Sequence, residues 1–485
     1  MRRIPHSSIW AALAFVAFVA CTLGWTAPLA HAAVTADLPE WPHPSEMEFD
    51  SIVFNPPEPE RFELQNGIVV YFLENRELPI LESAIYLPVG SLVESADQFG
   101  LASLTAELIR TGGAGELTPE EVDEELEFMA AGVSVSSGMV FTSVSFQSLS
   151  EYAERTLEIV TDMLTRPAFS PERLEIARGR IIESIRRQND DPTTVAFLEF
   201  YRRLAPDHPL GWTMNEETVR SFDIEDLVAF HERHYRPGGA VIVVAGDIDL
   251  ESLQDMLERT VGTWPRSESV GVEPPPFDPA PEPKLYHAQK ETAQSTIFMG
   301  YPTLMYADPD YPKLVIANHV LGGGAFDNRL FAEIRGKRGL AYHTQSSLTQ
   351  GHLYPGVFYA MAFTRADATA EVVQLMKDEL TRLVAEPIPS EELERHREAI
   401  LNRAVFEFAT PRAIIQAKAL AEIYNLPSDY YERYIAGIQT ATSEEIQAAA
   451  KRWIDPDRMI TLIVGDGAAF DQPLDVFGEV ELIEL

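Results

Sequence analysis

Cysteine is all but missing from this 485-residue chain: Cys21 is the single one. A disulfide framework and a thiolate zinc site are thereby both excluded, so stability has to come from burial, for which the chain is long enough. Basic residues are scarce as well. The 38 Lys and Arg stand against 75 Asp and Glu, a formal net charge of −37. Nucleic-acid binding rests on Lys and Arg contacts to phosphate, so no nucleic-acid partner is expected. The acidity suits solubility or a salty habitat, and alternatively attraction for basic peptides or a basic partner. Long apolar runs are absent after the first thirty residues. The one such run, Ile9 to Ala20, follows Arg2 and Arg3 and precedes Ala30-His31-Ala32. That layout reads as an export signal cleaved after Ala32. Cys21, after Phe18-Val19-Ala20, leaves lipoprotein attachment as a second reading, and an uncleaved anchor is a third. The mature chain is expected in the periplasm or outside the cell, with no membrane span.

What is present is a repeat. Arg166-Pro167-Ala168-Phe169-Ser170-Pro171-Glu172 matches Glu386-Pro387-Ile388-Pro389-Ser390-Glu391-Glu392. Pro192 matches Pro411, and Val243-Val244-Ala245-Gly246-Asp247 matches Leu462-Ile463-Val464-Gly465-Asp466, all at an offset of 219 or 220 residues. A period this long means duplicated domains rather than a solenoid. A Pro-rich stretch without helical periodicity separates the copies. The expected organisation is a signal over 1–32, an extension over 33–49, a first domain over 50–264, a linker over 265–284 and a second domain over 285–485. Each copy mixes strands and helices. Gly67 to Glu74, Ser83 to Pro88 and Ala240 to Ala245 read as strands, and Ser134 to Gln147 as a strand-rich hairpin. Leu101 to Arg110, Pro119 to Ala130, Tyr152 to Leu164 and Pro171 to Gln188 read as helices. The second copy repeats the order, which predicts an α+β fold of two similar sandwiches, each a mixed sheet packed with helices.

Four segments carry a more specific signal. They are Gly100-Leu101-Ala102 with its helix, His208-Pro209-Leu210-Gly211, Phe230-His231-Glu232-Arg233-His234-Tyr235-Arg236-Pro237, and the long run from Leu321-Gly322-Gly323-Gly324 through Asn328-Arg329-Leu330-Phe331 to Gly339-Leu340-Ala341-Tyr342. Together they resemble the insulinase/pitrilysin (M16) peptidases, inverted zincins whose helix carries His-x-x-Glu-His. The resemblance implies two histidines one turn apart on the first helix, a glutamate as general base, and a glutamate ligand from a later helix. In that register this chain has Ser103 and Glu107 at the histidines, Ala106 at the base and Ser184 at the third ligand. Glu183, next to that position, points about 100° away on an ideal helix. A catalytic zinc normally needs three protein ligands and an open position, so no metal site is expected on this chain. His231 and His234 read as structural, as does His208 in its turn. His287, His319, His343, His352 and His396 form no cluster with ligand spacing. Gly322-Gly323-Gly324 lacks the Gly-Lys-Ser/Thr of a phosphate loop and reads as a tight turn.

The same resemblance gives the second copy a positive role. Active relatives use an Arg and a Tyr seven residues apart to hold the substrate backbone and the scissile carbonyl. Arg335 and Tyr342 have that spacing, with Arg338 between them; a cationic fork and a phenol suit a developing oxyanion. Peptide is expected to add to a strand edge near Val133 to Ser137, where Ser136 replaces the family's Asn; backbone pairing does not need that side chain. The reading that follows is a non-catalytic, substrate-binding subunit, inactive alone. It would act on peptides in a heterodimer with an M16 partner that carries the zinc. The alternatives are a non-proteolytic envelope scaffold and, more weakly, an active peptidase with rearranged ligands.

Overall fold

The computed structural model describes residues 57–268, 272–277, 282 and 284–485. The expected signal and extension, and part of the linker, lie outside the described residues. Among the described residues the strands form two six-stranded sheets. In the first, β1 (Glu60–Glu63), β2 (Val69–Glu74), β3 (Ile80–Leu87), β4 (Gly132–Ser137), β5 (Thr142–Leu149) and β6 (Val241–Gly246) lie in the order β1-β2-β6-β3-β5-β4. The second holds β7 (Leu285–Gln289), β8 (Gln294–Pro302), β9 (Ala341–Leu348), β10 (Val357–Arg365), β11 (Ile460–Gly465) and β12 (Val480–Ile483), ordered β12-β7-β11-β8-β10-β9. Five strands of each sheet correspond one to one, from β2 and β7 to the edge strands β4 and β9. The sixth do not: β1 runs antiparallel to β2, whereas the C-terminal β12 runs parallel to β7. Two mixed-sheet sandwiches are what the repeat predicts.

The sequence of β6 and β11 explains their central places. Val241-Ile242-Val243-Val244-Ala245 and Ile460-Thr461-Leu462-Ile463-Val464 are apolar on both faces, and both strands are buried throughout. A strand of that kind needs cover on two sides. One side of the first sheet is covered by helices of the same half. These are Leu101–Thr111, Ala153–Thr165, Ile224–His234 and Leu250–Arg259, which share one core with Ile85, Val144, Ile242 and Val244.

The second side is covered by exchange. The helix Pro192–Leu204, from the first half of the chain, packs Val195, Ala196, Phe200, Tyr201 and Leu204 onto Phe298, Val357, Ile460 and Leu462 of the second sheet. Reciprocally, Ile415 and Ala419 of the helix Pro411–Ile423 pack onto Tyr71, Tyr86, Val241 and Val243 of the first. Both exchanged helices start at a capped proline. Asp191 accepts from the Thr194 N–H at 2.7 Å and Thr410 from the Ala413 N–H at 3.2 Å, which frees the first turn from its own hydrogen-bond demand. Polar ties lock the exchange. The Arg61 guanidinium donates to both Glu422 carboxylate oxygens, at 3.3 and 2.8 Å, and the Tyr71 hydroxyl donates to Glu422 at 2.6 Å. Arg61 chiefly, with Tyr71, holds the Glu422 carboxyl below its ordinary range.

Phe200 is fully buried in this arrangement, 5.5 Å from the Phe298 ring centre and 5.4 Å from that of Tyr201. Phe200→Ala is therefore expected to cost about 3–5 kcal/mol in chemical denaturation. A loss below about 1 kcal/mol would mean that the exchanged helix is not what covers the second sheet.

Candidate functional site

The helix Leu101–Thr111 turns its apolar side inward: Leu101, Ala102, Leu104, Thr105, Ala106, Leu108 and Ile109 are buried. Ser103 is exposed and Glu107 partly so, one turn apart on the outer face. The helix starts after Gly100, whose φ of 109° would strain any residue with a side chain. With no capping side chain next to it, the first turn is held from a distance. Glu94 Oε1 accepts from the Gly100 N–H at 3.1 Å and from the Ala102 N–H at 2.6 Å, placing a carboxyl at the positive end of the helix dipole. Burial is the larger influence and pushes Glu94 up to about 7, against the lowering effect of those backbone donors.

The helix Pro171–Arg187 lies beside this one, capped by Ser170. Its Arg180 forms an ion pair with Glu107. Ser184, the third ligand position, is exposed one turn beyond Arg180, and Glu183 is turned aside into an ion pair with Arg187 at 2.6 Å. The structure thus brings the expected positions onto two neighbouring helices and closes them with a guanidinium. Zinc does not fit this set. Two hydroxyls and one carboxylate already neutralised by an arginine supply neither the ligands nor the charge a zinc ion needs. Ala106 is buried and brings no ionisable group. Among the described residues no three His, Cys, Asp or Glu side chains gather as a metal ligand set. The side chain of Arg180 is 66 % exposed, so its pair with Glu107 contributes only about 0–1 kcal/mol. Its consequence is electrostatic: the Arg180 charge balances that of Glu107 at the position where the resemblance implies a zinc ion.

Next to this helix, β4 is the edge strand of its sheet. Its Val133 carbonyl accepts from Arg110 Nε at 2.9 Å, and Arg110 in turn pairs with Asp123 at 2.9 Å. Ser136 is exposed on the same strand.

The second half presents a different picture. Buried Asn328 accepts from the Phe331 N–H at 2.8 Å and starts the wide π-helical segment Phe331–Lys337. Arg329 ties that start to the helix Ser390–Glu407 by two hydrogen bonds to Glu392, at 2.9 and 2.8 Å. On this segment the Arg335 guanidinium lies 4.9 Å from the Phe331 ring centre and 5.0 Å from that of Tyr342. Contacts of this kind contribute about 0.5–1 kcal/mol each at exposed sites and leave the charge unneutralised. Tyr342 reaches Arg335 because of a β-bulge. Thr364 of β10 opposes Ala341 and Phe363 opposes His343, so Tyr342 is the extra, unpaired residue. A bulge re-aims a side chain, and Tyr342 stands 76 % exposed. Arg338, by contrast, is committed to carboxylates, to Glu333 at 2.8 Å and Glu371 at 3.7 Å.

The glycine run differs from the sequence reading. The helix Tyr311–Asn318 runs on as a π-helical turn through Gly323, and the need for glycine is close packing: a Cβ on Gly322 would fall 2.5 Å from the Ser346 nitrogen of β9. Among the histidines, His231 Nε2 bonds the Leu164 carbonyl at 2.8 Å, and His208 Nδ1 accepts from the Leu210 N–H at 3.1 Å. The structure also pairs His319 with His396, Nδ1 to Nδ1 at 2.8 Å, which their spacing in sequence does not suggest. Sequence reasoning missed Arg180, Glu94 and Phe331. Arg180 was findable, since it stands four residues before Ser184 and so on the same helix face.

Two family models match the chain: "Insulinase (Peptidase family M16)" over residues 70–215 and "Peptidase M16 inactive domain" over residues 221–400. A Bacillus subtilis protein named "Uncharacterized zinc protease YmxG" is 22 % identical over 410 residues, 84 % of this chain and 98 % of its own. A Helicobacter pylori protein named "Non-peptidase homolog YmxG" is 21 % identical over 408 residues, 83 % of this chain and 93 % of its own. Among solved structures, a peptidase M16 inactive domain from Pseudomonas fluorescens superposes with a TM-score of 0.79 at 23 % identity, over 86 % of this chain and all of that one.

Two outcomes test the site. Ser103→His, Glu107→His and Ser184→Glu, combined with Arg180→Ala, are expected to build a site holding about one zinc per chain by elemental analysis. A variant that folds and stays metal-free would show that these positions do not converge. Because Glu94 is raised by folding, its proton is held more tightly in the native state, and its ionisation between about pH 4.5 and 7 lowers stability. The melting temperature of Glu94→Gln should therefore gain on that of the parent as pH rises from 5 to 8. A constant difference would contradict the assignment.

Proposed function

We propose, from the premise that this chain belongs to the M16 (insulinase) peptidase family, that it is an exported, non-catalytic subunit of a two-chain zinc peptidase. It grips peptide substrates, while a partner of the same family carries the zinc and the general base. The single observation that carries this reading is the contrast between the halves. Where the family holds a metal, an ion pair stands; where it holds the substrate backbone, Arg335 is presented between Phe331 and Tyr342 with its charge unspent.

The chemistry of the second half suits that task. A guanidinium and a phenolic O–H side by side donate hydrogen bonds to a peptide carbonyl, and more strongly to the oxyanion that forms as water adds to it. Aromatic contacts fix the guanidinium without an acceptor that would compete for its donors. Arg338 lies one turn on and is neutralised by Glu333 and Glu371, so it supports this surface rather than donating to substrate. The reading of residues 1–32 as an export signal supports a location in the periplasm or beyond it. The two copies over 50–264 and 285–485 are its two sides, joined by the Pro-rich 265–284.

The chain purified alone is expected to hydrolyse no peptide, and addition of a zinc-bearing M16 subunit to restore hydrolysis. In that complex Arg335→Ala should lower kcat roughly a hundredfold without loss of assembly by gel filtration, whereas Arg338→Ala should change it less than about threefold. Full turnover with Arg335→Ala would sink the role given to that residue. A stable complex without any peptidase activity would favour a scaffold instead.

A further inference from the structure

Far along the chain from the Arg335 surface, an open cavity of about 300 Å³ sits beside the exchanged helix Pro411–Ile423. Tyr306, His352, Phe408, Tyr424 and Tyr431 supply most of its aromatic wall, and Glu407 its one carboxylate. The wall is built rather than incidental. Tyr424 stacks on His352 with ring centres 3.5 Å apart and planes 1° from parallel. Tyr306 meets His352 edge-on at 4.6 Å, and Phe408 meets Tyr431 at 5.4 Å. Burial pushes His352 down to about 4, so at neutral pH it adds a ring and no charge. Burial is the main reason the Tyr306 and Tyr431 phenols are raised, and the nearby Glu407 carboxylate adds to the rise in both. Its ion pair, with Arg403, is long at 3.8 Å, and Arg403 does not line the cavity.

We propose that this cavity is a binding site for a guanidinium group, the side chain of an arginine in a peptide. The lining selects by charge. An anion meets Glu407 with only the long Arg403 pair to offset it, and an apolar side chain would take water from that carboxylate and offer it no hydrogen bond in return. A cation satisfies both features, through the carboxylate and through the negative faces of aromatic rings. The planar guanidinium, less strongly hydrated than an ammonium, suits an aromatic wall better than lysine does. A net charge of −37 adds long-range attraction for basic segments.

The cavity also has a place in the peptide path. His352 and Tyr424 also line a second cavity of about 360 Å³, together with Gly138, Met139, Phe141 and Tyr354. Gly138 to Phe141 form the turn between β4 and β5. A peptide laid along the β4 edge would therefore reach the stack at its end, a step that rests on the peptide-gripping role proposed above. The affinity of the cavity itself for a guanidinium does not rest on it.

The test uses the full chain without a partner. Nα-acetyl-arginine amide and its neutral isostere Nα-acetyl-citrulline amide are titrated in by calorimetry at constant ionic strength. The arginine probe should bind at least about tenfold more tightly than the citrulline probe, and Glu407→Gln should remove about fivefold or more of that preference. Glu77→Gln, an exposed carboxylate outside the cavity, should leave it unchanged. Equal binding of the two probes, an unchanged preference in Glu407→Gln, or an equal loss in Glu77→Gln would each overturn the proposal. Because no peptidase activity is read, a failed reconstitution leaves this result intact, and the reverse holds too.

Discussion

The structure depends on the exchange of two helices. Each half contains a central strand that is apolar on both faces, and its own helices cover one. The other face is covered by the helix donated from the opposite half, with Phe200 at the centre of one contact and Ile415 and Ala419 at that of the other. Neither sheet completes its core alone. Unpaired, each would leave a broad apolar surface open to water. The two sequence copies therefore share one structural fate, and the elements that carry sites, the β4 edge and the bulged β9, are fixed with respect to that shared core.

Within this frame the two copies of one architecture have diverged electrostatically. In the first, the side chains that would face a dication are a carboxylate and an arginine, and the charge balances inside the protein. In the second, Asn328, Arg329 and a bulge combine to hold Arg335 and Tyr342 outward, with no carboxylate among the described residues paired to Arg335. Few of these contacts carry much stability. The Glu107–Arg180 pair is largely exposed, and the aromatic contacts of Arg335 are weak. They are better understood as setting which charges remain available to a ligand.

Much of this was legible from residues. The strands β6 and β11 announce themselves as apolar on both faces, and the paired Pro192 and Pro411 mark the two exchanged helices. The pattern of an amphipathic helix says that one face is buried, however, and not against which sheet, so the exchange itself is invisible until the chain is folded. The altered positions Ser103, Ala106, Glu107 and Ser184 follow from the family resemblance and the register it implies. What fills the gap does not, although Arg180 lies on the helix face that spacing identifies. The exposure of Tyr342 depends on one extra residue in β9, and a bulge leaves little trace in a sequence without an obvious break in alternation. The His319–His396 pair joins two helices far apart in the chain, a contact no local pattern encodes. The π-helical turns likewise reflect packing, with Gly322 needed for contact with β9 rather than for a turn.

The central proposal is that this chain lacks the family's metal site and holds peptide through its second half. It is tested most directly by the zinc content of the purified, unmodified chain after incubation with equimolar zinc and removal of the free ion. The account predicts far less than one zinc per chain, because two of the four altered positions offer a hydroxyl and one a methyl, and the fourth, Glu107, is paired with Arg180. Stoichiometric, tightly held zinc would contradict it.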